Sequence, residues 1–292
     1  MIQKKLYYFI CLLLILTSSL ACNKDYGPAK ETGVIFLGHK GGGGNLFNDV
    51  NMENSISAMK AGVKELDGVE TDIQMSHNGT IWMFHDSDLT SGFCENVPRK
   101  GIIFQLDSLI SKLYRCHQAK KDRLYKLSEL IELWDSNPSF YISLEVKTSW
   151  TEAEFESMGG KNPYLAKLAY NLANVLNNSN AQEKMLIEID SKFFCDRLKT
   201  YKSTQNIKTS LIRGGDVDQN IKDALELGYN GISVDFENET VSAGNIRKAQ
   251  QSGLKVQLWT PYYQKNLTSV FNLQPDFIQT DNLKAKRFLN VK

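Results

Sequence analysis

Two histidines, three carboxylates and two lysines in this chain are residue types that acid–base and metal-ion chemistry uses, at spacings a β-sheet can exploit. Glu70 and Asp72 alternate with Val69, Thr71 and Ile73 along the segment Val69–Gln74. A period of two is that of a strand, so both carboxylates leave it on one side. A second short strand, Thr80–Phe84, follows the pair Asn78-Gly79, a two-residue hairpin signal that asks for φ > 0 at both positions. His85-Asp86 stands where that strand ends, and Asp86 either orients His85 or caps the next turn. His77, in the turn, is expected to be exposed. Glu145 and Lys147 share one side of Tyr141–Lys147, while His39-Lys40 closes the apolar run Val34–Leu37.

The chemistry open to this set is narrow. Glu70, Asp72 and Glu145 offer three carboxylates and no thiol, which favours a hard divalent cation, Mg²⁺ or Ca²⁺, over zinc. Without a cation they raise one another's pKa, unless Lys147 offsets part of their charge, which is the purely structural reading of the cluster. Carboxylates alternating on a strand are also more often a solvated face than a site. His39 and His85 carry imidazoles that titrate near neutrality and suit a general base and a general acid. A cation, Lys40 and Lys147 together supply positive charge for a phosphate. With no obvious Ser or Cys nucleophile, these groups point to displacement at a phosphodiester.

Such residues act together only if a scaffold gathers positions spread from His39 to Trp259. Eight runs read as strands: Val34–Leu37, Val69–Gln74, Tyr141–Lys147, Met185–Ile189, Lys208–Ile212, Gly231–Asp235, Lys255–Trp259 and Asp276–Gln279. Helices are predicted between them, over Leu127–Trp134, Tyr164–Leu176, Lys192–Tyr201, Asp218–Leu227, Val241–Ser252 and Tyr263–Phe271. An earlier helix opens at Glu53-Asn54-Ser55, capped by Asn54 or Ser55, with Ile56, Met59, Val63 and Leu66 on its core face. Strands alternating with helices imply parallel pairing and right-handed crossovers. Eight such units make an α/β fold, a (β/α)8 TIM barrel, whose chemistry belongs at the C-terminal strand ends. His39, Glu70, Asp72, Glu145, Lys147 and Trp259 all have that address. Residues 87–126 read as an irregular insertion over one mouth, with His117 and Lys120-Lys121-Asp122-Arg123 expected on its solvated surface.

The first 21 residues read as a signal peptide: Lys4-Lys5, an apolar run over Leu6–Leu16, and small residues before Cys22. That pattern resembles a bacterial lipoprotein signal, with Cys22 as the acylated residue and residues 22–33 as a tether; plain secretion after Ala21 is the alternative. Either way the protein is expected outside the cytoplasm, and in the first case on a membrane, periplasmic or at the cell surface. Residues 34–292 suit one large barrel domain. With 34 basic and 33 acidic residues, no bulk charge argues for nucleic acid. Cys94 and Cys116 flank one segment of the insertion, so a disulfide there and three buried free thiols with Cys195 both stay open.

The ordered motifs resemble the glycerophosphodiester phosphodiesterase family. Its signature is His-Arg-Gly, Glu-Asn-Thr, Glu-x-Asp, an Asp-Gly turn, His-Asp and Leu-Glu-x-Lys. Here stand His39-Lys40-Gly41, Glu53-Asn54-Ser55, Glu70-Thr71-Asp72, Asn78-Gly79, His85-Asp86 and Leu144-Glu145-Val146-Lys147. Leu258-Trp259-Thr260 and Gln279-Thr280-Asp281 are similar to the closing strand motifs, so the resemblance runs from Val34 to about Leu289. It implies that Glu70, Asp72 and Glu145 bind the metal and that His39 and His85 are the acid/base pair. It implies further that Lys147 contacts the phosphate and Trp259 the alcohol or glycerol part. The expected reaction releases sn-glycerol 3-phosphate and an alcohol, the substrate's own glycerol hydroxyl attacking first to give a cyclic phosphate that water opens. Lys40 departs from the family's Arg, exchanging a bidentate fork for a point charge, and Gly41–Gly44 with Asn45-Leu46-Phe47 lengthen the first loop. Both changes bear on which diester is cleaved. Two rivals are cleavage of an intact phospholipid or phosphoinositol, and a lipid-anchored protein that binds a phosphate ligand without turnover. The histidine pair weighs against the last, since binding alone needs neither acid nor base.

Overall fold

The computed structural model describes residues 32–42, 51–89, 92–94, 100–117 and 120–291. The signal peptide, Cys22, the tether up to residue 31 and the loop residues 43–50 lie outside the described residues. Gly33–Leu289 forms one compact unit. Twelve strands are described in it: β1 (Ile35–Gly38), β2 (Gly68–Met75), β3 (Ile81–Met83), β4 (Tyr114–His117), β5 (Lys120–Arg123), β6 (Tyr125–Lys126), β7 (Tyr141–Val146), β8 (Met185–Glu188), β9 (Lys208–Ile212), β10 (Gly231–Asp235), β11 (Lys255–Trp259) and β12 (Phe277–Thr280).

Eight of them are parallel neighbours in the order β1, β12, β11, β10, β9, β8, β7, β2, and β1 pairs with β2 to close the ring. Helices intervene, and the chain is the (β/α)8 barrel that its alternation predicts. Closure explains why the carboxylates of β2 do not face solvent. All eight residues of the strand are buried, as on a sheet covered on both faces. Val69 packs outward toward the helix Ile56–Glu65, where a Cβ on Gly62 would meet its side chain at 2.7 Å. The alternate positions, Glu70, Asp72 and Gln74, therefore face the barrel interior. In register, Asp72 lies beside Glu145 of β7, and Glu145 beside Glu188 of β8.

Two local expectations change. The turn after β2 is wider than a two-residue hairpin: Gly79 N–H donates to the Ser76 carbonyl at 2.9 Å, and only Gly79 of the Asn78-Gly79 pair has positive φ, 101°. Asn78 instead turns its side chain outward to accept from the Asp107 N–H at 2.9 Å. The insertion is also more ordered than its sequence suggests. It holds a 3₁₀ turn at Ile102–Phe104, a short helix at Asp107–Ile110 and the hairpin β4–β5. Ile102, Ile110, Leu113 and Leu124 bury themselves against Trp82 and Phe84, so the segment owns a small core continuous with β3. Its apolar residues follow neither period, which is why the order was not legible. Lys121 and Arg123 are exposed, as expected of the basic run.

Of the two readings of the cysteines, the disulfide Cys94–Cys116 is formed and Cys195 is a buried free thiol. Replacing Cys94 and Cys116 by Ser is expected to lower the unfolding free energy by about 2–4 kcal/mol. The measurement is the denaturation midpoint under oxidising conditions. An unchanged midpoint would mean that the apolar cluster alone sets the insertion's geometry.

Candidate active site

Glu70, Asp72 and Glu145 bring one carboxylate oxygen each to within 4.8 Å of the others. β2 and β7 place them there because neighbouring strands put residues of one register side by side above the barrel interior. Asn54 steadies the group from the first loop. Its φ is +56°, and that left-handed turn aims the amide at β2. Asn54 Nδ2 donates to Asp72 Oδ2 at 2.9 Å, while its Oδ1 accepts from Thr71 Oγ1 at 2.6 Å and Asp72 N–H at 3.2 Å. Ser55, not Asn54, caps the helix, accepting from Ala58 N–H at 3.1 Å.

Both histidines are held the same way. His39 Nδ1 meets Asp281 Oδ1 at 2.7 Å, and its Nε2 lies 3.9 Å from Glu70 Oε2. His85 Nδ1 meets Asp86 Oδ1 at 2.7 Å. A carboxylate at Nδ1 keeps the proton there and leaves the Nε2 lone pair free to take another. Asp86 is thus an orienting residue, and the bond to His85 is the main cause that holds its carboxyl below its ordinary value. Gln74, the third inward residue of β2, fixes the His85 turn by donating to the carbonyls of Phe84 at 3.0 Å and Asp86 at 2.7 Å.

The charges are strongly divided. Burial, then Asp72, Glu188 and Glu145, push Glu70 well above its ordinary value. Asp72 goes the other way: burial raises it, but Lys147, His85, Lys40 and the Asn54 amide outweigh that and hold it far down. Lys147 sits on two of the three carboxylates, 3.0 Å from Asp72 Oδ1 and 2.6 Å from Glu145 Oε1. Burial works against its charge, yet those two partners keep its ammonium well above the ordinary value. Glu70 Oε2 accepts from Lys40 N–H at 2.8 Å, whereas Oε1 is buried with no hydrogen-bond partner. A buried, unpartnered oxygen among three hard donors fits a divalent cation, which would satisfy it and offset the repulsion that raises Glu70.

Below the cluster the barrel floor is polar. Glu188 accepts from Ser143 Oγ, Ser233 Oγ and Gln279 Nε2, each at 2.6 Å. Glu188→Leu strands three buried donors, so a loss of at least about 2 kcal/mol in unfolding free energy is expected. Equal stability in calorimetry would contradict it. At the mouth, a cavity of about 850 Å³ is walled by Glu145, Trp259, Asp190, Arg213, Asp216 and Asp235, among others. Trp259 is the sequence-predicted substrate residue on that wall. Arg213 is committed to Asp190, at 2.8 and 2.7 Å, and to Asp223.

Every described candidate residue thus lies at one end of the barrel, and Cys22 lies outside the described residues. The sequence reading gave Asn54 a role only as a candidate helix cap and assigned none to Gln74, Asp281, Glu188 or Arg115. Asp281 carried a signal in its closing motif, and Asn54 in the motif with Glu53. Gln74 shared the alternation of Glu70 and Asp72; Glu188 and Arg115 carried none.

A sequence model of the glycerophosphoryl diester phosphodiesterase family matches residues 39–285. No curated protein sequence matches the chain significantly. Among solved structures, a glycerophosphodiester phosphodiesterase from Parabacteroides distasonis shares 14% identity and a TM-score of 0.71, over 89% of this chain and 98% of that one. An Oleispira antarctica phosphodiesterase, in complex with the product sn-glycerol-3-phosphate, shares 14% identity and a TM-score of 0.70, over 90% and 97%. A glycerophosphodiester phosphodiesterase from Thermotoga maritima shares 18% identity and a TM-score of 0.62, over 88% and 98%. At such identities the structures speak for the fold, and the matched family extends from His39 across every described candidate residue: the chain belongs to the glycerophosphoryl diester phosphodiesterase family and is a phosphoric diester hydrolase.

Proposed function

We propose that this enzyme hydrolyses glycerophosphodiesters to sn-glycerol 3-phosphate and an alcohol, using His39 and His85 as its acid and base. The observation that carries the reading is two imidazoles, each oriented through Nδ1 by a carboxylate, on a barrel end that holds three clustered carboxylates. The sn-glycerol-3-phosphate held by the Oleispira antarctica phosphodiesterase supports the product. Glu70, Asp72 and Glu145 would hold Mg²⁺ or Ca²⁺. When bound there, the cation supplies Lewis-acid polarisation of a phosphoryl oxygen and counter-charge for its developing negative charge.

The chain's own residues do the rest. In the first step Nε2 of one histidine takes the proton of the attacking glycerol hydroxyl while Nε2 of the other gives its proton to the departing alcohol oxygen. In the second the roles exchange: the now neutral imidazole takes a proton from the attacking water, and the protonated one returns its proton to the glycerol oxygen that leaves, so no strongly basic oxygen has to depart in either step. Asp281 and Asp86 stabilise whichever imidazolium forms and keep each ring turned the right way. Lys40 and Lys147 place positive charge beside the phosphoryl oxygens, and Trp259 presents an apolar wall to the alcohol or glycerol part. We place the protein outside the cytoplasm, anchored through Cys22; loss of membrane association in Cys22→Ser is the expected result. Among the described residues no helix is long and apolar enough to cross a membrane.

The test is release of glycerol 3-phosphate from glycerophosphocholine and glycerophosphoethanolamine, with Mg²⁺, with Ca²⁺ and with chelator. Metal-dependent release is expected. Release only from phospholipid vesicles would replace the substrate class, and saturable binding without product in either metal would replace the reaction.

A further inference from the structure

His85 carries half of the proposed proton transfer, yet its own side-chain contact does not fix its place. Its Nδ1 partner is the next residue, Asp86, and the two side chains are 40% and 37% exposed. Asp86 sets the tautomer of the ring, but a contact that open to water holds little in space. Both members also ride on the same turn and move with it. Where Nε2 stands is therefore decided by what holds the backbone of residues 84–87.

Phe84 begins the turn sunk in the insertion's core, with the Arg115 guanidinium 5.7 Å from its ring centroid and Arg115 Nη2 donating to Glu53 Oε1 at 2.6 Å. Beyond that, two side chains from other elements grip the turn's carbonyls. Gln74, fully buried on β2, donates from Nε2 to the carbonyls of Phe84 at 3.0 Å and Asp86 at 2.7 Å. Two carbonyls at one end of the amide settle that Nε2 faces the turn. Oε1 is then left buried, with no hydrogen-bond partner among the described residues. A buried acceptor without a donor costs stability, so Gln74 is not the residue that stability alone would select there.

The second grip comes from Trp150, three residues after Lys147 in the loop that follows β7. Its indole N–H donates to the Ser87 carbonyl at 3.2 Å, across 63 positions of chain. The indole is buried and wedged, its ring centroid 5.7 Å from those of Phe155 and Tyr164. Tyr164 Oη accepts from the N–H of Met75 at 3.0 Å, so this brace ends on the residue after Gln74. The insertion leaves the Ser87 carbonyl no slack: a Cβ on Gly101 would stand 2.2 Å from its oxygen and 3.1 Å from Trp150 Nε1. Gly101 has an ordinary φ of −61°, so closeness and not backbone freedom asks for glycine there.

We propose that Trp150, together with Gln74, is a positioning residue for His85: the two hold the carbonyls on either side of the histidine and thereby set where its Nε2 meets the substrate. This rests on the reading of His85 as an acid or base. Trp150 stands on the loop that leaves the strand of Glu145, so the same contact ties the carboxylate cluster to the turn that transfers the proton.

The test measures kcat and KM for glycerophosphocholine, with excess Mg²⁺, in purified Trp150→Phe and Gln74→Met. Phe keeps an aromatic ring in the wedge and Met keeps the length of the Gln side chain, so each removes chiefly the donor. In each, kcat is expected to fall about tenfold with KM within about threefold, because a misplaced proton-transferring group loses its near-attack geometry. In the His85→Ala background the same substitutions are expected to change the residual kcat by less than about twofold, since they act through the missing ring. A merely structural residue would lose the same factor in both backgrounds. A second readout needs no turnover. Of the chain's four histidines, labelled at their ring carbons, the one whose NMR resonance vanishes in His85→Ala is His85. That resonance is expected to shift or broaden in Trp150→Phe while that of His39 stays in place, and it decides the matter if residual turnover of His85→Ala is too small to measure. If Gln74→Met does not fold, Trp150→Phe decides alone. Unchanged kcat in every folded single variant, an equal loss with and without His85, or an unmoved His85 resonance overturns the proposal while the activity of the parent protein stands. A parent protein that does not turn over the diester overturns the functional reading instead, and the resonance still reports whether Trp150 holds the ring.

Discussion

His39→Ala and His85→Ala should each lower kcat by on the order of 10²- to 10⁴-fold while KM changes little. Each imidazole is fixed through Nδ1 by its own aspartate, so in the proposed mechanism the substitution removes the Nε2 that transfers the proton and not a binding surface. Two separate losses of that size would show that attack and departure each need their own group. A loss confined to one variant would leave the other histidine as a binding residue. Asp281→Asn offers an internal control. It keeps the ring but removes the anion that fixes its tautomer, so its loss should be real, smaller than that of His39→Ala, and accompanied by an altered pH profile of kcat/KM. Steady-state release of glycerol 3-phosphate across pH distinguishes these cases. Near-normal turnover in His39→Ala or His85→Ala would remove that residue from the mechanism.

Removing the divalent cation should have a comparable effect, abolishing turnover until Mg²⁺ or Ca²⁺ is returned. Glu70→Gln should make the loss irreversible, because Glu70 holds a buried oxygen of the cluster that has no hydrogen-bond partner. The same cation should stabilise the fold by about 2.7 kcal/mol when present at a hundred times its dissociation constant. The sign of the pH dependence follows from Glu70. Burial and neighbouring carboxylates raise it, so the metal-free fold keeps a proton that the unfolded chain gives up at lower pH. For this group, metal-free stability is highest below its unfolded value and falls as pH rises from there through the raised folded value. Cation binding expels that proton, so affinity rises with pH over the same window. Thermal unfolding with cation and with chelator, at a series of pH values, reads both: the gap in Tm should widen as pH rises. A gap that narrows, or full activity in chelator, would remove the cation from the site.

The barrel was legible in the chain because its evidence is local. Eight short runs between helical patterns need only nearest-neighbour periodicity to be seen, and all eight became barrel strands. The side shared by Glu70 and Asp72 was legible for the same reason, since a strand's period is two. The insertion was less so. Its order comes from Ile102, Ile110, Leu113 and Leu124 burying against Trp82 and Phe84, a surface supplied by β3 rather than by the insertion itself. The turn at Asn78-Gly79 departed from expectation because Asn78 had a better use for its side chain, at the start of the helix Asp107–Ile110.

By itself, the sequence determined which residues could carry charge and protons, and that eight strand ends would collect them. Only the tertiary structure decided what each is bonded to. The His39–Asp281 contact spans 242 positions, Arg115–Glu53 spans 62, and Glu188–Gln279 spans 91. Such pairs leave no periodic trace, because nothing in the intervening chain depends on them. They exist once the ring of strands closes and burial leaves those polar groups no partner but one another.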